Sequence, residues 1–144
     1  VNTERLKGYQ AALDKHKVAG DPSLIYSGTV SYGYGYQLGL QLANDPDRPT
    51  AIFATADILA FGLMKGLKEG GLLIPDDVSV VGFDDGFLAG NSEPALTTVH
   101  QDVDAKARIA GQLIINAIER QEEGSERIVL PVSMVIRQSV KQKG

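Results

Sequence analysis

The chain has no cysteine and no tryptophan, and only 2 histidines in 144 residues. Without cysteine there is no disulfide framework and no thiolate metal site, and a cytoplasmic location is expected. His16 and His100 stand apart, with no ligand-like spacing to acids, so a metal centre is not expected. Positive charge is not in excess: 14 Lys and Arg against 18 Asp and Glu leave a net charge of −4. That balance lacks the basic stripe of a nucleic-acid-binding surface. No run approaches the roughly 18 apolar residues of a membrane-spanning helix, so no membrane partner is expected. No signal peptide is legible, and the opening at a valine, directly into a helix start, suggests a fragment.

Enzyme templates are missing as well. There is no G-x-S-x-G nucleophile elbow, no P-loop and no pair of carboxylates with an evident acid/base split. Gly33-Tyr-Gly35-Tyr-Gln-Leu-Gly39 comes near a dinucleotide fingerprint. Its last glycine is one place late, and no acidic residue follows at a strand end about 20 residues on. The stretch reads instead as a loop with Gly35 easing helix entry. No catalytic residue and no cofactor are expected.

What is present is ordinary globular composition, 43% hydrophobic and 22% charged, in about one domain's length. Short β-rich runs alternate with longer helical ones. A helix begins at Asn2 or Thr3, with Leu6, Tyr9 and Leu13 at helical spacing. Leu24-Ile25-Tyr26 reads as a strand and Gly28 to Gly35 as a loop. A helix from about Tyr34 to Asn44 is expected to bury Tyr36, Leu40 and Ala43. Ala51 to Ala54 reads as a strand, Asp57 to Glu69 as a helix ended by Gly70-Gly71, and Val78 to Phe83 as a strand covered on both faces. This αβαβαβ order predicts a parallel sheet with right-handed crossovers. Then come a short strand Leu96 to Val99, a long amphipathic helix Asp102 to Glu122, a break at Gly124-Ser125 and an extended stretch Ile128 to Val140. Pro131 limits part of that stretch to an edge or a bulge.

In such a sheet the residues just past each strand, Thr29-Val30, Thr55-Ala56 and Asp84-Asp85, gather at one edge, where ligands bind. Arg5, in the first turn of the opening helix, would join them if a strand preceded it. A carboxylate that accepts hydroxyl hydrogens, beside a guanidinium that donates through a planar fork, suits a small polyhydroxylated or polar molecule. Spacing alone does not separate this from acids that cap or solvate a loop. Adjacent residues at a strand end point opposite ways, which makes Asp84, rather than the pair, the expected contact. Asp57 reads as a helix N-cap; Asp45, Asp47, Asp76 and Asp77 read as solvated turns. Tyr32, Tyr34 and Tyr36 read as core and rim packing.

On a helical wheel over 57–69, Leu59, Ala60, Leu63 and Leu67 form one apolar arc, expected to lie on the sheet. Asp57, Lys65, Lys68 and Glu69 form the opposite arc, and Ile58 and Phe61 fall within it. Apolar side chains on a charged face predict a homodimer helix presenting Ile58, Phe61 and Lys65.

Five stretches then carry a family resemblance, in order along nearly the whole chain. They are Glu4-Arg-Leu-Lys-Gly-Tyr-Gln-Ala-Ala-Leu13, Pro49-Thr-Ala-Ile-Phe-Ala-Thr-Ala-Asp-Ile-Leu-Ala-Phe-Gly62, Gly71 to Asp85, Pro94-Ala-Leu-Thr-Thr-Val-His-Gln101 and Leu130-Pro-Val-Ser-Met-Val-Ile-Arg-Gln-Ser139. Together they resemble the lactose/galactose repressor family of bacterial transcriptional regulators. The resemblance implies a type I periplasmic-binding-protein-like α/β fold, a parallel sheet with helices on both faces, in a two-lobed effector core behind an N-terminal helix-turn-helix headpiece. On it, residues 1–95 are the second lobe without its first strand. Residues 96–122 are a crossover strand and helix normally in the first lobe, and 123–144 are return strands.

It further implies Arg5 and Asp84 as polar effector contacts, Val30 and Val103 as the wall of the site, Ala56 where many relatives carry Asn, and Gln101 at the hinge crossover. Phe61 falls on the family's dimerisation helix. The implied partners are a small effector (a sugar or related polyol), a second copy of the chain, and operator DNA through a headpiece outside this chain. A periplasmic sugar-binding receptor of the ribose type shares the fold and is the alternative. A flavodoxin-like enzyme domain is a third reading that no motif supports.

Overall fold

The computed structural model describes residues 2–120 and 127–142. Three parallel strands, β1 (Ala51–Phe53), β2 (Ser79–Asp84) and β3 (Thr97–Gln101), are followed by an antiparallel β4 (Val132–Val135), in the order β1-β2-β3-β4. The helices are α1 (Asn2–Lys15), α2 (Tyr32–Ala43), α3 (Asp57–Glu69), a one-turn α4 (Phe87–Asn91) and α5 (Val103–Arg120). The expected open, mostly parallel α/β sheet is therefore present.

Helix α3 has the bounds its periodicity predicts. Gly70 sits at its C-cap, and Gly71 takes the left-handed conformation that glycine tolerates best (φ +91). Helix α2 starts earlier than predicted, because the Ser31 side chain accepts from the Tyr34 N–H at 3.2 Å and caps it there. The buried positions of α2 are Gly35, Gly39 and Leu42, not the expected Tyr36, Leu40 and Ala43, which are only half-buried.

The reason lies in how the two helices meet. A methyl on Gly35 would overlap the Leu59 carbonyl oxygen, and one on Gly39 that of Leu63. From the other side, a methyl on Gly62 would overlap the Tyr32 oxygen, and one on Gly66 that of Tyr36. Glycines at i and i+4 on both helices thus let the backbones touch. The near-dinucleotide pattern of 33–39 is a helix-packing pattern.

One predicted strand is absent. Pro22–Leu24 forms a single 3-10 turn, capped by Asp21, whose side chain accepts from the Ser23 N–H at 2.8 Å. Proline at its first position favours that turn. Leu24-Ile25-Tyr26 finds no ladder partner among the described residues, and an extended segment becomes a strand only when a neighbour takes its hydrogen bonds. It lies instead across an apolar cavity of about 190 Å³ from Leu6, Tyr9 and the edge strand β1.

The core joins α3 to the sheet: Ala60, Leu63, Met64 and Leu67 pack with Val78, Val80, Ala89, Leu96 and Leu42. Along β2 burial alternates, with Val80 and Gly82 buried and Val81 and Phe83 half-buried. The tail is tied in by Ser139, whose buried hydroxyl donates to the Val80 carbonyl (2.6 Å) and accepts from the Thr97 N–H (2.8 Å).

Helix α5 begins after Asp102, whose side chain accepts from the Ala105 N–H at 2.8 Å. Its apolar stripe stays open to solvent, with Ile114 61% and Ile118 73% exposed. The predicted end of this helix at Glu122 and the break at Gly124-Ser125 lie outside the described residues. Of the extended stretch 128–140, only Val132–Val135 pairs as a strand.

Gly39→Ala or Gly62→Ala is expected to destabilise the fold by about 1–3 kcal/mol through overpacking. Gly33→Ala, in open space on the same helix α2, is expected to be neutral or to stabilise by about 0.5–1 kcal/mol. Urea denaturation of the variants checks the contrast, which equal effects at the two kinds of position would contradict.

Candidate functional site

Register brings together residues that are far apart in sequence. Parallel pairing sets Gly82 beside Thr98 and Asp84 beside His100, so both strands end at the same edge. Phe83 points to the face opposite Gly82, and the Arg5 guanidinium of α1 lies over its ring, 3.7 Å from the centroid. A cation on an aromatic face contributes about 0.5–2 kcal/mol, more as water is excluded, and the Arg5 side chain is only 14% exposed. Arg5 Nη1 also donates to the Thr55 carbonyl just past β1, and Nη2 lies 3.5 Å from Asp84 Oδ1. The expected meeting of Arg5 with Asp84 therefore occurs.

The two adjacent acids divide their work. Asp85 turns inward, 13% exposed, and accepts from Arg137 Nη2 at 2.7 Å while pairing with His100 Nδ1 at 2.9 Å. Asp84 stays 40% exposed. Its Oδ1 accepts from Gln101 Nε2 at 2.7 Å, and among the described residues its Oδ2 takes no hydrogen bond. Both acids adopt positive φ, +130 for Asp84 and +58 for Asp85. Non-glycine residues held there cost about 1–3 kcal/mol each and persist only when surrounding contacts over-determine them.

The geometry offers an exposed carboxylate oxygen beside a planar donor, over an aromatic face. That combination can accept from and donate to neighbouring hydroxyls of one small ligand. The other predicted residues sit as follows. Gln101 reaches Asp84 directly. Val30, in the loop before α2, and Val103, at the start of α5, are 45% and 58% exposed. Ala56 is buried at the N-cap position of α3 and presents no polar side chain.

Asp57 is neither solvated nor a cap. The cap position of α3 is Ala56, and the Asp57 carboxylate is buried, accepting from the Thr98 hydroxyl (2.6 Å) and the Gly86 N–H (3.1 Å). On the dimer-helix arc Ile58 is exposed and Lys65 pairs with Glu69 at 2.8 Å, but Phe61 is half-buried against the core. His100, isolated in sequence, is not isolated in space. The roles of Phe83, Arg137 and His100 had no signal in spacing, because each depends on register or on the returning tail. Among the described residues no group of His, Asp and Glu could hold a metal ion, and no helix is long and apolar enough to cross a membrane.

Comparison with known proteins decides the family. Residues 1–140 match the profile of the periplasmic binding protein-like domain. The chain belongs to that family. This periplasmic binding protein-like domain is 32% identical over 140 residues to the HTH-type transcriptional repressor PurR of Haemophilus influenzae, covering 95% of the chain and 42% of the repressor. Its structure superposes on a putative transcriptional regulator LacI from Bacillus cereus subsp. cytotoxis, with TM-score 0.90 and 27% identity, over 97% of the chain and 50% of that protein. A LacI family regulator from Enterococcus faecium, solved with bound ribose, aligns with TM-score 0.86 and 32% identity, over 94% and 50%. These relatives bear out the repressor-family resemblance read from the motifs. They are transcriptional regulators, not enzymes, and the domain spans less than half the length of the curated repressor.

Burial disfavours charge on Asp85, but Arg137 and His100 outweigh it and hold its pKa below the ordinary aspartate value of 3.8. A depressed carboxylate contributes stability that is complete above its unfolded pKa and lost as pH falls through its folded pKa. The stability gap between the wild type and Asp85→Asn is therefore expected to be present above the ordinary aspartate pKa and to shrink as pH falls below it through the depressed folded value. Chemical denaturation at a series of pH values reads it, and a gap that does not change with pH would remove the ion pair from the account.

Proposed function

We propose that this domain is the effector-binding and dimer-forming part of a bacterial DNA-binding transcriptional regulator, acting in the cytoplasm, with a sugar or related polyol as effector. The observation that carries the reading is the cluster at the strand ends: Arg5 over Phe83, Asp84 with one oxygen that takes no hydrogen bond among the described residues, and Gln101 orienting it. Arg5, Asp84 and Gln101 are the polar contacts, Val30 and Val103 the walls, and Ala56 borders the site. The ribose bound by the Enterococcus faecium relative has the hydroxyl chemistry that this set suits.

In this reading the lobe that holds the site includes β3, which pairs with β2 and β4 in one sheet, rather than ending at residue 95. Helix α5 then crosses toward the other lobe, where its open apolar stripe finds its cover. DNA contact belongs to a headpiece elsewhere in the full-length protein. Effector binding between the lobes then biases headpiece spacing, a coupling between two sites. Dimerisation uses the α3 face bearing Ile58, Phe61 and Lys65.

Asp84→Ala in the full-length protein is expected to weaken sugar binding about 10- to 100-fold, the worth of a hydrogen bond to a charged group. Its thermal unfolding should change little, since Asp84 is exposed. Titration calorimetry with ribose and a panel of other mono- and disaccharides checks this, and unaltered affinity would sink the assignment. Ile58→Asp and Phe61→Asp are expected to shift the full-length protein toward monomer in sedimentation equilibrium at micromolar concentration. Ile58 is the cleaner test because it is already exposed, and an unchanged profile for both would move the interface off α3.

A further inference from the structure

We propose that Asp57 is a positioning residue for the effector site, holding the Asp84–Gly86 turn in the backbone conformation that presents Asp84. The inference rests on the reading of Asp84 as an effector contact and adds the residue that sets its geometry. The starting observation is a pair of unfavourable φ values, +130 at Asp84 and +58 at Asp85, which need restraint from outside the turn. Asp85 is anchored through Arg137 and His100, and the Asp84 side chain through Gln101. The backbone after both is anchored at Gly86, whose N–H donates to Asp57 Oδ2 at 3.1 Å.

The pocket around Asp57 is built for this carboxylate. Asp57 is 4% exposed. Its Oδ1 accepts from the Thr98 hydroxyl at 2.6 Å. A side chain at Gly82 would overlap that same oxygen, so the bare backbone of β2 makes room for it. Meanwhile α3 has no side-chain cap at Ala56, and the carboxylate that could have served its own helix end goes to the turn after β2. A buried carboxylate gains from charge-assisted bonds and loses heavily when left unpaired. It therefore fixes Gly86 more firmly than a neutral acceptor would.

A residue that only secures α3 to the sheet would share these contacts, so the test compares two variants that remove different halves of them. Asp57→Ala removes both; Thr98→Val removes only the hydroxyl. In the 144-residue chain, nuclear magnetic resonance would follow amide exchange at Gly86 against the α3 core amide of Leu67, together with the backbone shifts of Asp84 and Asp85. Asp57→Ala is expected to speed exchange at Gly86 at least about tenfold more than at Leu67 and to move both shifts. Thr98→Val should change Gly86 and Leu67 alike and leave the shifts in place. Equal effects at the two amides in Asp57→Ala, or unmoved shifts, would overturn the proposal whatever the sugar data show. In the full-length protein, titration with ribose and the same sugar panel should show affinity lost in Asp57→Ala and kept in Thr98→Val. Equal loss in both would reduce Asp57 to a structural tie. If the wild type binds no sugar while the Gly86 result holds, the effector reading fails and the hold on the turn stands.

Discussion

The backbone-to-backbone contact between α2 and α3 places the helix whose first turn carries Asp57. Glycines on both helices remove the side chains that would otherwise keep them apart, and ordinary helix pairs stand 8–10 Å apart because side chains separate them. The first turn of α3 reaches the gap that Gly82 leaves on β2. Asp57 enters there and meets Gly86 and Thr98. The turn carrying Asp84 is thus referenced to a helix, and that helix to another, without a long side chain in the chain of contacts.

The site itself is electrostatically economical. One cation, Arg5, rests on an aromatic face, donates to a carbonyl and pairs with an Asp84 oxygen at 3.5 Å. A second, Arg137, is committed to Asp85 and the Leu96 carbonyl. The two adjacent aspartates thus have separate cationic partners. Among the described residues, Asp84 is the one of the two that keeps an oxygen without a hydrogen bond.

Much of this was legible in the sequence where a single periodicity governed. The bounds of α3 followed from its apolar arc and the Gly70-Gly71 stop, and the divergent directions of the Asp84 and Asp85 side chains from strand alternation. Legibility stopped where a feature needed a partner from elsewhere. Leu24 to Tyr26 has strand composition but no neighbour to pair with among the described residues. The buried roles of Gly35 and Gly39 gave no signal because the glycines of α3 that face their helix lie more than 20 residues away. Asp57 at the head of a helix fitted a cap, and only the register of β2 with β3 shows Thr98 and the bare Gly82 beside it. His100 lay 15 residues from Asp85 and showed no spacing signal for the same reason.

The pairing of β3 with β4 sets Gln101 opposite Val132, so the chain leaves the sheet and re-enters it at one place. Helix α5 is therefore reached from the sheet at the corner where β4 enters it. Gln101 lies at that corner with its amide on Asp84, so the residue that orients the carboxylate is also the last of the strand that leads into α5.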